Sequence, residues 1–118
     1  FWDFTYTLPE ATNNQQYYIK DLPSKYKGKV KIEVAGLQEG NYNLEIYKVG
    51  YKSNDAFTDY LGMNKPNQLT KEQVKKLKEN NNGSVFKIEK LTVDAKGNFS
   101  KEIEMNENDV YFLNFIKQ

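Results

Sequence analysis

The sequence predicts a mainly β domain: an antiparallel β-sandwich, immunoglobulin-like or jelly-roll-like, with about seven strands and one or two short helices in a crossover. Runs such as Lys29-Val30-Lys31-Ile32-Glu33-Val34 alternate charged with β-branched residues, the period of two that a strand with one wet and one buried face requires. Turn-forming stretches, Gln38-Glu39-Gly40-Asn41 and Asp94-Ala95-Lys96-Gly97-Asn98, separate these runs at short intervals. The length of 118 residues suits one domain, 1–118, able to bury roughly two-thirds of the surface its unfolded chain exposes.

The chain opens on a strand-like run, Phe1-Trp2-Asp3-Phe4-Thr5-Tyr6-Thr7, with no initiator methionine or polar leader before it, which reads as a piece cut from a longer protein. In the 29–34 run, Val30, Ile32 and Val34 face the core. Tyr42-Asn43-Leu44-Glu45-Ile46-Tyr47-Lys48-Val49 alternates again and buries Tyr42, Leu44 and Ile46. Its end admits two phases, one burying the stem of Lys48 and one burying Tyr47 and Val49, and a bulge near Tyr47 would reconcile them. A short helix is expected over Asn54–Leu61, capped by Asn54 or Ser53 and closed by Gly62. Thr70 with Gln73 three residues on makes a capping box, and Leu69 and Val74 form a hydrophobic staple, so a helix should run from about Lys71 to Glu79. Asn80-Asn81-Asn82-Gly83 supplies left-handed conformers to end it. Val85–Val93, the turn 94–98 and Phe99–Met105 read as a hairpin. Val110–Ile116, nearly continuous in apolar residues, suits a strand covered on both faces.

Composition removes whole classes of chemistry. Without His or Cys there is no Ser-His-Asp triad, no Cys-His nucleophile and no zinc site built on imidazole or thiolate. All 17 basic residues are lysines and the net charge is +1, so the chain lacks both the bidentate arginine fork and the basic field that nucleic-acid binding uses. No apolar run reaches the ~18 residues of a membrane span. Neither nucleic acid nor membrane is expected as a partner, and no cofactor is implied. The residues do not choose between secretion and the cytoplasm of a bacterium.

The remaining candidates divide between chemistry and architecture. Glycoside hydrolysis needs two carboxylates across one bond, one of them held protonated by desolvation. Glu33, Glu45, Glu89, Glu102 and Glu104 instead lie beside lysines on polar strand faces, where solvated cross-strand pairs are expected, so no catalytic residue is assigned. Asp55 and Asp59, at i, i+4 spacing, could ligate calcium through oxygen, but capping is the commoner use of such residues. Nine tyrosines raise the prospect of a sugar-stacking platform, for which Tyr17, Tyr18, Tyr26 and Tyr51 are the loop candidates.

Several stretches, in order, resemble the carboxy-terminal region of glycoside hydrolase family 39, which holds β-xylosidases and α-L-iduronidases. They are Phe1-Trp2-Asp3-Phe4, Leu37–Tyr42, Tyr47-Lys48-Val49-Gly50, Ser53-Asn54-Asp55-Ala56-Phe57, Leu69–Val74 and Asn108–Leu113. The resemblance implies an accessory β-sandwich beside a catalytic (β/α)8 barrel whose two glutamates are not in this chain. The fragment would then be no enzyme, although its parent would be a β-xylosidase-like glycosidase. The partner would be the barrel of the same polypeptide, with carbohydrate as a second candidate. Trp2, Tyr51, Asn54, Asp55, Phe57 and Tyr60 are expected at the interdomain interface, and Tyr17, Tyr18 and Tyr26 are the candidate sugar contacts. Two other readings compete: a carbohydrate-binding module, and a cell-surface β-sandwich that binds other proteins.

Overall fold

The computed structural model describes residues 1–5, 21 and 23–118. Tyr6 and Thr7 of the opening run, and Tyr17 and Tyr18, lie outside them. Among the described residues the chain is mainly β, with strands β1 (Tyr26–Val34), β2 (Gly40–Val49), β3 (Lys87–Val93), β4 (Phe99–Asn106) and β5 (Val110–Lys117). Helices α1 (Ala56–Gly62) and α2 (Lys71–Asn80) fill the connection between β2 and β3. Five strands are seen where about seven were expected. One reason is that the described part of the opening run, Phe1–Thr5, contributes a single bridge, Trp2 to Val110. Neither helix is long and apolar enough to cross a membrane.

The strands form two antiparallel sheets, β1-β4 and β3-β2-β5. Leu44 and Ile46 of β2, Tyr111 of β5, and Ile103 and Met105 of β4 share one buried cluster, so both sheets turn an inner face to the same core. Phe99 and Phe115 meet edge-on from the two sheets with ring centroids 5.1 Å apart, the aromatic geometry that ring quadrupoles favour.

The hairpin expected across 94–98 does not form. β3 pairs with β2, and β4 pairs with β1, so this turn carries the chain from one sheet to the other. Alternation along each strand is the same whichever neighbour it takes, and the local pattern therefore could not separate a hairpin from a crossing. Gly97 makes the crossing feasible: its φ is +68°, and a Cβ there would strike the carbonyl of Leu37, whose N–H donates to the Gly97 carbonyl at 3.1 Å.

β2 and β5 stay in continuous register from Tyr42–Lys117 to Val49–Val110, so there is no bulge at Tyr47. Lys48 keeps the inward phase of Tyr42, Leu44 and Ile46, which becomes possible because a buried carboxylate meets it. Val30, in register with Ile103, is nevertheless 38% exposed, since β1 is paired on one side only. Glu89 also departs from expectation. It is partly buried between the sheets, where its carboxylate binds Lys101 of β4 at 2.8 Å and Lys87 at 2.8 Å. Glu45 accepts from Tyr47 Oη and Asn114 Nδ2 and no ion pair with lysine is seen for it. Glu102 does pair with a lysine of the neighbouring strand, Lys29, at 3.7 Å in the solvated setting expected.

The capping box of α2 forms as read: Thr70 Oγ1 accepts from the Gln73 N–H and Gln73 Oε1 accepts from the Thr70 N–H. Its end differs, because Asn81, the C-cap, has φ −124° and only Gly83 beyond it is left-handed. For α1 the N-cap is Asp55, one residue later than expected, and Gly62 is the last helical residue, not the terminator. The left-handed turn falls instead at Asn64 and Lys65.

Candidate interdomain surface

The outer face of the β3-β2-β5 sheet is apolar at one end. Antiparallel register sets Trp2, Val110 and Val49 in one row across it. The next row holds Phe112 and Tyr47, their ring centroids 5.7 Å apart. Phe86, whose N–H donates to the Ile46 carbonyl at 2.9 Å, extends this row, with Ile88 two residues on along the same face. Trp2 is 72% exposed, Phe112 62%, and Phe86 and Ile88 57% each. Scattered exposed hydrophobes are ordinary, whereas a contiguous group of this kind makes this face the candidate contact surface. Beside it, Glu45 accepts from Tyr47 Oη at 2.9 Å and from Asn114 Nδ2 at 3.2 Å, so its carboxylate is tied within the sheet. That bond raises the Tyr47 phenol above its ordinary pKa.

Beneath this end of the sheet lies a buried charge. Asp109 is fully buried, and its Oδ2 accepts from Lys48 Nζ at 3.1 Å and from the Asn106 N–H at 3.0 Å. Oδ1 has no hydrogen-bond partner and abuts Gly50, where any Cβ would collide with it. Burial pushes the Lys48 ammonium pKa down, but hydrogen bonds to Tyr111 and Asp109 more than offset this and leave it raised. Tyr111 completes the group, its hydroxyl donating to the Glu104 carbonyl at 3.2 Å and its ring stacking on Phe1 at 5.3 Å. The Asp3 N–H donates to the Asp109 carbonyl, and the Tyr111 N–H to the Phe1 carbonyl, each at 2.9 Å. Phe1–Asp3 is thereby held along β5, and Trp2 between them points to the outer face.

The expected interface residues fall into two groups. Trp2 belongs to the apolar face. Tyr51, Asn54, Asp55, Phe57 and Tyr60 are half-buried in and before α1. Tyr51 Oη donates to Asp21 at 3.1 Å and Tyr60 Oη to the Pro66 carbonyl at 3.2 Å. Asn54, with φ +48°, bridges the Lys48 carbonyl at 2.9 Å and the Gly83 N–H at 3.1 Å. Asp55 caps Thr58 through both its N–H and its hydroxyl, and also accepts from the Lys52 N–H. Asp59 accepts from Asn80 and Asn81 of α2. No metal-holding group of three or more acidic side chains occurs among the described residues. Tyr26 is exposed in β1, in the other sheet from Trp2 and Phe112. Phe86, Ile88, Val49 and Phe112 are not among the site residues expected from the sequence; for Phe112 the signal is the nearly continuous apolar run 110–116, which one buried face alone does not require.

No family model matches the sequence, and no curated protein does. Solved structures do match. A family 39 glycoside hydrolase from Xanthomonas axonopodis pv. citri superposes with a TM-score of 0.88 and 25% identity, over 99% of this chain and 23% of that one. The chain has the fold of a glycoside hydrolase family 39 domain. A monomeric β-xylosidase from Caulobacter crescentus CB15 shares this family 39 fold with a TM-score of 0.83 and 24% identity, over 98% of this chain and 23% of that one. The bacterial orthologue of human α-L-iduronidase aligns more distantly, with a TM-score of 0.66 and 14% identity, over 84% of this chain and 18% of that one. This chain therefore spans less than a quarter of the length of each of these three structures.

Proposed function

We propose that the chain is a non-catalytic, carboxy-terminal accessory β-sandwich of a larger family 39 glycosidase, β-xylosidase-like in activity, and that it supports the catalytic barrel of the same polypeptide. The observation that carries this reading is the apolar outer face of β3-β2-β5, which a free-standing domain has no reason to expose. Contacts between domains of one chain bury about 600–1,500 Å², and an aromatic group flanked by aliphatic residues suits such a contact. The segment from Tyr51 to Pro66 follows the end of β2, and on this reading Asn54, Asp55, Phe57 and Tyr60 would add to the same contact from there. Similarity to part of larger glycosidase chains supports a parent of that class. The fixed pairing of three of the fragment's carboxylates supports the non-catalytic reading: Glu89 and Asp109 bind lysines, and Glu45 accepts from Tyr47 and Asn114.

The test is made in the full-length enzyme. Phe112→Ser with Trp2→Ser should lower its melting temperature and leave the folding of the isolated domain intact. An unchanged melting temperature would overturn the docking surface. Purified fragment should release no chromophore from an aryl β-xyloside, and turnover that vanishes when one of its own carboxylates is replaced would overturn the non-catalytic reading. The same exposed rings favour a carbohydrate-binding module as a second reading, although Val49, Val110 and Ile88 interrupt the planar surface that a sugar would need. Retardation of the fragment on xylan gels would decide for the module.

A further inference from the structure

Asn82-Gly83 is the single Asn-Gly step in the sequence, and both residues are exposed between α2 and β3. Gly83 has φ +72° and carries no Cβ to obstruct approach to its nitrogen. The Ser84 N–H donates to Asn82 Oδ1 at 2.8 Å, a turn that folds the amide back over the following peptide and polarises its carbonyl toward attack. We propose that Asn82 is a site of spontaneous deamidation, held in check by the hydrogen bond from the Gly83 N–H to Asn54 Oδ1 at 3.1 Å.

The step balances with water alone. The Gly83 nitrogen gives up its proton to water or hydroxide and bonds to Cγ of Asn82, and the side-chain NH2 takes a proton back from water as the Cγ–N bond breaks and leaves as ammonia. A five-membered succinimide results. Water then adds to one of its two carbonyls: opening at one restores the normal backbone with aspartate at 82, and opening at the other routes the backbone through the side chain as isoaspartate. Asn54 opposes the first event because its amide oxygen holds the proton that must depart.

The consequence reaches beyond the loop. Asn54 also grips the Lys48 carbonyl at 2.9 Å, so its side chain ties the α2–β3 connection to the end of β2. Isoaspartate lengthens the backbone by one carbon beside that tie, and either product adds a negative charge. Deamidation at 82 therefore loosens Asn54 from Gly83 at the edge of the apolar face.

The experiment incubates the whole chain at mildly alkaline pH and follows each asparagine by peptide mapping, with isoaspartyl methyltransferase labelling to distinguish the two products. The Asn82 peptide should convert several-fold faster than those holding the exposed Asn98 and Asn108, and Asn82→Gln should abolish the isoaspartate label at that position. Equal rates at the three positions would overturn the site. For the check by Asn54, conversion should quicken several-fold in Asn54→Ala and, should that variant fail to fold, in wild-type chain dissolved in urea. A native rate equal to the urea rate would overturn the protective bond.

Discussion

Asp109 shows what a single side chain can hold together. It ties Lys48 of β2, the turn before β5 and, through its carbonyl, the Phe1–Asp3 segment. An ion pair this deep adds little net stability by existing, but losing one partner strands the other. Asp109→Ala should therefore cost about 3–5 kcal/mol in urea denaturation. Adding Lys48→Met should recover part of that loss, since no ammonium then remains buried without a carboxylate. If the double variant is as unstable as the sum of the single ones, the two groups do not act as a pair. In the sequence Asp109 looks like one more turn residue after Asn108. Its burial follows from a corner between two sheets, which strand alternation does not encode.

At the level of elements, the parts fixed by neighbouring residues were legible and the parts fixed by distant ones were not. α2 was readable because its signal is a box of four residues. Thr70→Ala should accordingly destabilise the domain by about 0.5–2 kcal/mol, measured as a shift in denaturation midpoint. β1, β2 and β4 were readable from their period of two, but the phase of β3 was not, because Phe86 and Ile88 fall on one face and Leu91 and Val93 on the other, and Glu89 therefore reads as wet when it lies between sheets. That position has a pH signature. Hydrogen bonds from Lys101, then Lys87, hold the Glu89 carboxyl below its ordinary value of 4.5. A lowered folded pKa contributes stability that is present above about 4.5 and lost as the pH falls through the lower folded value. Melting temperatures measured across this range should fall less steeply for Glu89→Gln than for the wild type. Parallel curves would mean that the inter-sheet pair contributes nothing.

For the whole molecule, the sequence led to two antiparallel layers with helices in a crossover and to an aromatic surface that included Trp2. It did not locate that surface on the sheet. The rows Trp2–Val110–Val49 and Phe112–Tyr47 are assembled from three separate parts of the chain, and no local window contains them. Long-range assembly of this kind also bears on kinetics. The Tyr111 N–H donates to the Phe1 carbonyl across a separation of 110 residues, so this contact can form only after the residues between them have been brought together. Closing such a loop costs entropy before any bond rewards it, and domains dominated by distant pairings fold in about milliseconds to seconds. Phe1–Asp3 should be the last stretch to zip onto β5 and the first to leave it. Stopped-flow measurements on a chain lacking these residues should show faster unfolding with little change in the refolding rate, whereas slower refolding would place the segment in the folding nucleus.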